Sequence, residues 1–327
     1  MTLYRNILKS AWINTWKNKY LWFFGLFAAL LGNGGELEIF FRSFNDRIND
    51  GFLAELKVFS SIGFFSLKTL RNIGVLLVSD TGTMLLLIFT LTLVLVLGGF
   101  LFWLVISSQI ALVNNSASDK IGKKHNIQTG LDSALKKFWP VLGLNLIVKL
   151  VSYILFGILT IPIAMSLVRG DMFSYSFLFV VLYLILVPFI LFFSFIIKYA
   201  IAYTVIKDEN IYDALKNGFN LFISNILISI EMTLILFLIN LFVAFMLILM
   251  FLVLAVPLFF VITVFSSIFA HINLLFIIFG AIILFLIFTA FIGAILATFQ
   301  ISSWTYLFIE LETKGGVSKI KRIFSKK

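Results

Sequence analysis

Cysteine is absent from this chain, so neither a disulfide framework nor thiol chemistry is open to it. Histidine occurs twice, as His125 and His271, too few and too far apart for a structural zinc site, which takes about four Cys or His ligands. Charge is scarce too: 12% of the residues are Asp, Glu, Lys or Arg, half of the roughly 25% found in a soluble domain. No Walker loop, zincin helix, nucleophile elbow or paired-carboxylate motif is present. These absences argue against catalysis, and no cofactor or metal is implied.

What is abundant is apolar. Hydrophobic residues make up 61% of the chain, with 40 phenylalanines among 327 positions. Several apolar runs exceed the ~20 residues that carry a helix across a bilayer. The expectation is an all-α, polytopic integral membrane protein. A net charge of +10 would suit nucleic acid in a soluble protein, but in a membrane chain it reads as topology, because basic residues collect on the cytoplasmic side.

Six spans are expected. The first is the apolar run 20–31, extended back to about Ile13 if Lys17 and Lys19 reach the interface with their heads. A tilted or re-entrant first helix is an alternative. A signal peptide is another, suggested by the basic start and Ala28-Ala29, although Trp12, Trp16 and Trp22 argue against cleavage. The others are 84–113, 138–168, 173–206, 221–254 and 273–311, with Pro162 near the end of one, Pro188 inside another, and Pro257 bending or ending the fifth. Residues 36–83 mix five basic and six acidic residues with apolar ones at 3–4 spacing, which predicts helices lying on the membrane surface. Lys and Arg on alternate sides number seventeen against six, which puts both termini in the cytoplasm.

A repeat underlies this plan. Residues 131–139 (LDSALKKFW) return as 211–219 (IYDALKNGF) and, more loosely, precede themselves as 4–12 (YRNILKSAW). Apolar or small residues fall at i, i+3, i+4, i+7 and i+8, one face of a helix, and Lys9, Lys136 and Lys216 hold one position. Three helix-hairpin units follow, each opened by a cytoplasmic amphipathic helix: 1–113, 114–206 and 207–311, then a basic tail, 312–327. Within the spans Asn145 matches Asn225, and Ile106-Ser107-Ser108 recurs as Ile301-Ser302-Ser303.

Two stretches carry a family resemblance. Residues 20–27 (YLWFFGLF) and 205–216 (VIKDENIYDALK) resemble the opening run and an inter-span loop of the glycerophosphoryl diester phosphodiesterase membrane domain family, prokaryotic multi-span proteins. The resemblance implies a fold and a plasma-membrane location. The metal-dependent barrel that gives the family its name has no counterpart in the chain.

Candidate functional residues are the charges and amides at membrane depth, since each charge there is costly unless paired or hydrated. Lys149 and Glu231 are expected near the midplane, paired between the outgoing spans of units two and three, with Asn145 and Asn225 hydrogen-bonding between helices. Lys198 is expected to snorkel, His125 to be solvated, and Thr129 to cap the helix that opens unit two. Lys9, Lys136, Lys137, Lys216, Trp12 and Trp139 are the expected contacts to anionic lipid headgroups. The function this predicts is binding or moving a lipid or small amphiphile, or scaffolding a membrane complex with a protein partner. The alternative is a small-solute permease that uses the Lys149/Glu231 pair.

Overall fold

The computed structural model describes residues 3–30, 81–123, 125–169, 172–268 and 274–314. The expected surface helices of 36–83, His271 and most of the basic tail lie outside the described residues. Eight helices occur among the described ones: α1 Leu3–Lys17, α2 Leu21–Ala29, α3 Thr81–Ile121, α4 Ile127–Arg169, α5 Met172–Ile206, α6 Ile211–Ser224, α7 Ile226–Ile268 and α8 Leu274–Lys314. Five are long and apolar enough to cross a membrane, over Met84–Ile121, Ile127–Pro162, Phe177–Ile206, Ile226–Val253 and Phe279–Thr313. The protein is therefore a multi-span, all-α membrane protein.

The chain divides into two compact units, Met1–Asn33 with Val105–Lys327, and Gly34–Leu104. In the second, the described residues form the first part of α3, whose side chains from Leu85 to Phe102 are exposed around the whole circumference. A helix apolar on every side satisfies its backbone internally and leaves its side chains to lipid.

In the first unit the core lies where the final turns of α3, α5 and α8 meet. Ile106, Ile110, Leu112, Tyr199, Tyr306 and Phe308 are fully buried there. Small polar residues share that core: Ser107, Ser108, Ser116, Ser302 and Ser303 are buried, so both copies of the Ile-Ser-Ser run face inward. Small residues let helix backbones approach where no hydrophobic force drives them together. Further along α7 and α8 the side chains are exposed, as at Phe242, Phe245, Leu284 and Ile287.

The expected first span is broken. α1 stops at Lys17, and i→i−3 bonds from Leu21, Trp22 and Phe23 carry the chain round a tight turn into α2. Asn18 donates to Asn14 Oδ1 at 2.6 Å and the Trp22 indole donates to the Thr15 carbonyl at 2.8 Å, so side chains hold the turn from both sides. α2 has nine residues, about 13 Å, against a hydrocarbon core of ~30 Å. It lies against α8, where a Cβ on Gly25 would stand 2.2 Å from both the Ala294 oxygen and Thr298 Oγ1. Glycine is required for that approach.

The opening segments of the units are built in three ways. In α4 the segment and the span are one helix. In the third, α6 ends at Ser224 and Asn225 (φ −130°) separates it from α7. In the first, α1 and α2 are separated by the turn. Burial nevertheless keeps register: from Tyr4 to Trp12 and from Ile211 to Phe219 the sequence of buried, half-buried and exposed positions is identical. The fourth position, Ile7, Ala134 or Ala214, is buried in all three. Gly218 presses α6 on α5, since a Cβ there would sit 2.9 Å from the Ile196 oxygen. Pro257 does not end its helix: α7 continues to Ile268.

Candidate functional site

The best-defined polar site of the first unit forms where α3 passes into α4. Gly122, at φ +77°, ends α3, with its N–H bonded to the Asp119 carbonyl at 3.1 Å and the Lys123 N–H to the Ser118 carbonyl at 2.9 Å. This paired closure needs a left-handed residue, and glycine adopts that conformation at no steric cost. α4 then starts with a reciprocal cap. Asn126 Oδ1 accepts the Thr129 N–H at 2.8 Å, and Thr129 Oγ1 accepts the Asn126 N–H at 2.9 Å. Asn126 is thus the cap, three residues before the expected Thr129, which is the third helical residue, because the asparagine amide oxygen reaches the free N–H of that first turn.

Between these two stops His125 is held rather than solvated. Its Nδ1 lies 2.6 Å from the Tyr20 hydroxyl, and its Nε2 lies 3.4 Å from Asp119 Oδ1. The other Asp119 oxygen accepts the Tyr306 hydroxyl at 2.6 Å, and Lys120 stands 5.2 Å above the Tyr306 ring. The chain Tyr20–His125–Asp119–Tyr306 ties the α1–α2 turn, α3, the following loop and α8 together. Burial, and then the charge of Asp119, pushes the Tyr20 hydroxyl up to about 12. A nucleophile or base needs the opposite shift, so Tyr20 is a positioning hydrogen bond.

A basin of about 410 Å³ opens beside this chain, lined by Asn18, Lys123, His125, Asn126 and Thr129. From its wall a second chain runs inward: Asn18 donates to Asn14, Asn14 to Ser302 Oγ at 3.4 Å, and Ser302 pairs with Ser116 at 2.8 Å. Further contacts join α5 and the loop that follows it to α4 and α8. Tyr203 donates to Glu312 at 2.5 Å, Lys207 pairs with the same carboxylate, and Lys137 lies 2.5 Å from Asp208. Lys137, expected at the headgroups, is therefore in an ion pair. Lys9, Lys136, Lys216, Trp12 and Trp139 are exposed.

The expected intramembrane pair does not form. Lys149 is exposed on α4, while the Glu231 carboxylate accepts the Tyr4 hydroxyl. The break at Asn225 is the reason Glu231 was misplaced in depth: α7 starts at Ile226, so Glu231 stands in its second turn, beside α1. Asn145 reaches across to Gln109 Oε1 at 2.8 Å and also caps the Val141 carbonyl, whereas Asn225 bonds only within its own segment, to Leu221. Lys198 is half-buried and stacks 4.8 Å over Trp304 instead of reaching out, on the wall of a cavity of about 50 Å³ that Gln109 and Gln300 also line. Among the described residues no three His, Asp or Glu side chains converge as a metal site would require. The tyrosine pairings were not foreseeable from spacing, since Tyr20 and His125 lie 105 positions apart and Asp119 and Tyr306 lie 187 apart. No protein-family model, curated protein or solved structure matches the chain.

Proposed function

We propose that this is a non-catalytic protein of a prokaryotic plasma membrane that binds a lipid or small amphiphile at the headgroup level of the cytoplasmic leaflet. One observation carries the reading. α1, the start of α4, and α6 each bury the fourth aligned position against the bundle and expose a lysine two positions on (Lys9, Lys136, Lys216) and an aromatic three further (Trp12, Trp139, Phe219). Exposed lysines beside exposed aromatic rings are what a membrane interface selects.

The same register supports three repeated units within one membrane domain, with both termini cytoplasmic and the first unit modified by the α1–α2 turn. The asparagine match adds to it, since Asn145 and Asn225 each bond the carbonyl four residues back. We also place the chain as a divergent relative of the glycerophosphoryl diester phosphodiesterase membrane domain family, in fold and not in activity. A permease based on Lys149 and Glu231 loses its pair and is not favoured.

The test is native mass spectrometry of the protein taken from its own membrane. Anionic phospholipid should copurify, and the triple variant Lys9→Gln, Lys136→Gln, Lys216→Gln should lose most of it. Each lysine near an anionic surface is worth about 1 kcal/mol, so three together change binding by roughly a hundredfold. Equal lipid retention by both proteins rejects the reading, and a stoichiometric protein partner in place of lipid favours a scaffold.

A further inference from the structure

We propose that the basin between the α1–α2 turn and the α3–α4 loop is a binding site for an anionic phosphate group. Its volume, about 410 Å³, falls in the ~300–1,000 Å³ range of small-ligand sites. All five described lining residues are polar, and none is a carboxylate. Lys123 supplies a cation. Lys120, three residues earlier, is occupied over the Tyr306 ring, so of the two it is Lys123 that serves the basin. The amide nitrogen of Asn126 takes no part in the cap, which uses only its oxygen, and Asn18 commits one amide proton to Asn14 Oδ1, so each retains a donor proton.

The nearby carboxylate is arranged not to oppose an anion. One oxygen of Asp119 accepts from Tyr306 and the other faces Nε2 of His125, itself a lining residue of the basin. The groups around His125 are Tyr20 and Asp119 on its ring edges and Lys123 on the same wall, with Lys120 and Tyr306 beyond Asp119.

The phosphate has two sources, a lipid headgroup or a soluble phosphate. The first rests on the headgroup-level reading above and the second does not. Full-length protein in neutral phosphatidylcholine nanodiscs, titrated with inorganic phosphate in a calorimeter, tests the soluble source. Nanodiscs containing phosphatidylglycerol, followed by native mass spectrometry, test the lipid source. Binding in either arm should weaken at least fivefold in Lys123→Gln and in His125→Gln and persist in Lys123→Arg, and phosphate binding in neutral nanodiscs should survive the triple change at Lys9, Lys136 and Lys216. ¹⁵N resonances of the His125 ring provide a readout that needs no variant and should move on ligand addition. Wild-type affinity in both basin variants, an unmoved His125 ring, or no binding in either arm overturns the site. Loss confined to the triple variant overturns it too, and leaves the surface lysines as the lipid contact.

Discussion

The Tyr20 hydroxyl meets Nδ1 of His125 at 2.6 Å, joining the turn after α1 to the loop after α3 across 105 positions of sequence. Removing that hydroxyl leaves the imidazole without its Nδ1 partner. Tyr20→Phe should cost about 1 kcal/mol, the net worth of one such bond. Hydrogen exchange at residues 122–126 measures it: protection should fall there and hold steady in α5. Unchanged protection in that loop would show the bond to be unimportant.

Alkaline titration gives an independent check. The Tyr20 hydroxyl titrates at about 12 in the folded chain against an ordinary 10.0, so the folded state holds this proton more tightly than the unfolded one. Its contribution is complete below pH 10, where both states are protonated, and is lost as pH rises from 10 through about 12. Difference absorbance of phenolate between wild type and Tyr20→Phe should place one tyrosine in that upper window. A step near pH 10 contradicts it.

Gly25→Ala should destabilise the contact of α2 with α8, because the added carbon meets the Ala294 oxygen and Thr298 Oγ1. Overpacking of this kind costs about 1–3 kcal/mol. Thermal unfolding in detergent measures it, with Gly157→Ala as control, since nothing lies within 4 Å of a Cβ there. Equal melting of the two variants would refute the close approach.

Asn126→Ala removes the cap of α4 and should cost about 1 kcal/mol. Thr129→Ala removes both the return bond to the Asn126 N–H and the bond of its hydroxyl to Oδ1 of the buried Asn115 at 3.2 Å, so it should cost about as much. Amide exchange at residues 127–129 measures the cap, and unchanged protection in Asn126→Ala would show it to be unimportant.

Neutralising Glu231 and Lys149 should have unequal effects. Glu231 accepts the Tyr4 hydroxyl at the start of α1, so Glu231→Leu should loosen α1 and raise its proteolytic sensitivity, as should Tyr4→Phe. Lys149→Gln, at an exposed position, should change stability by less than about 0.5 kcal/mol. Rescue by the double swap Lys149→Glu with Glu231→Lys would restore the pairing that the structure separates.

Composition and period were enough to read the class of this protein, because a lipid solvent demands long apolar helices whatever their packing. The buried fourth position of the three segments, Ile7, Ala134 or Ala214, was readable from spacing, but Leu135, on the expected apolar face of the second, is exposed. Breaks were not readable. Asn225 and the Asn18–Tyr20 turn interrupt helical runs that no proline or glycine marks at the point of interruption, and they are held by local side-chain bonds whose geometry spacing does not encode. One missed break displaced Glu231 by more than a helical turn and so suggested the wrong partner. The polar basin was hidden for a different reason: Asn18 and the residues from Lys123 to Thr129 lie far apart in the chain, and only packing unites them.

Thr298 Oγ1 approaches the Leu21 carbonyl at 3.2 Å, 277 positions away. During synthesis α2 emerges among the first elements and its docking surface on α8 among the last. At ~5–20 residues per second the wait is roughly 14–55 s. For that interval the glycine-notched face of α2 has no α8 to receive it. The N-terminal helices are thus made first and seated last, and it is completion of the final span that closes the bundle.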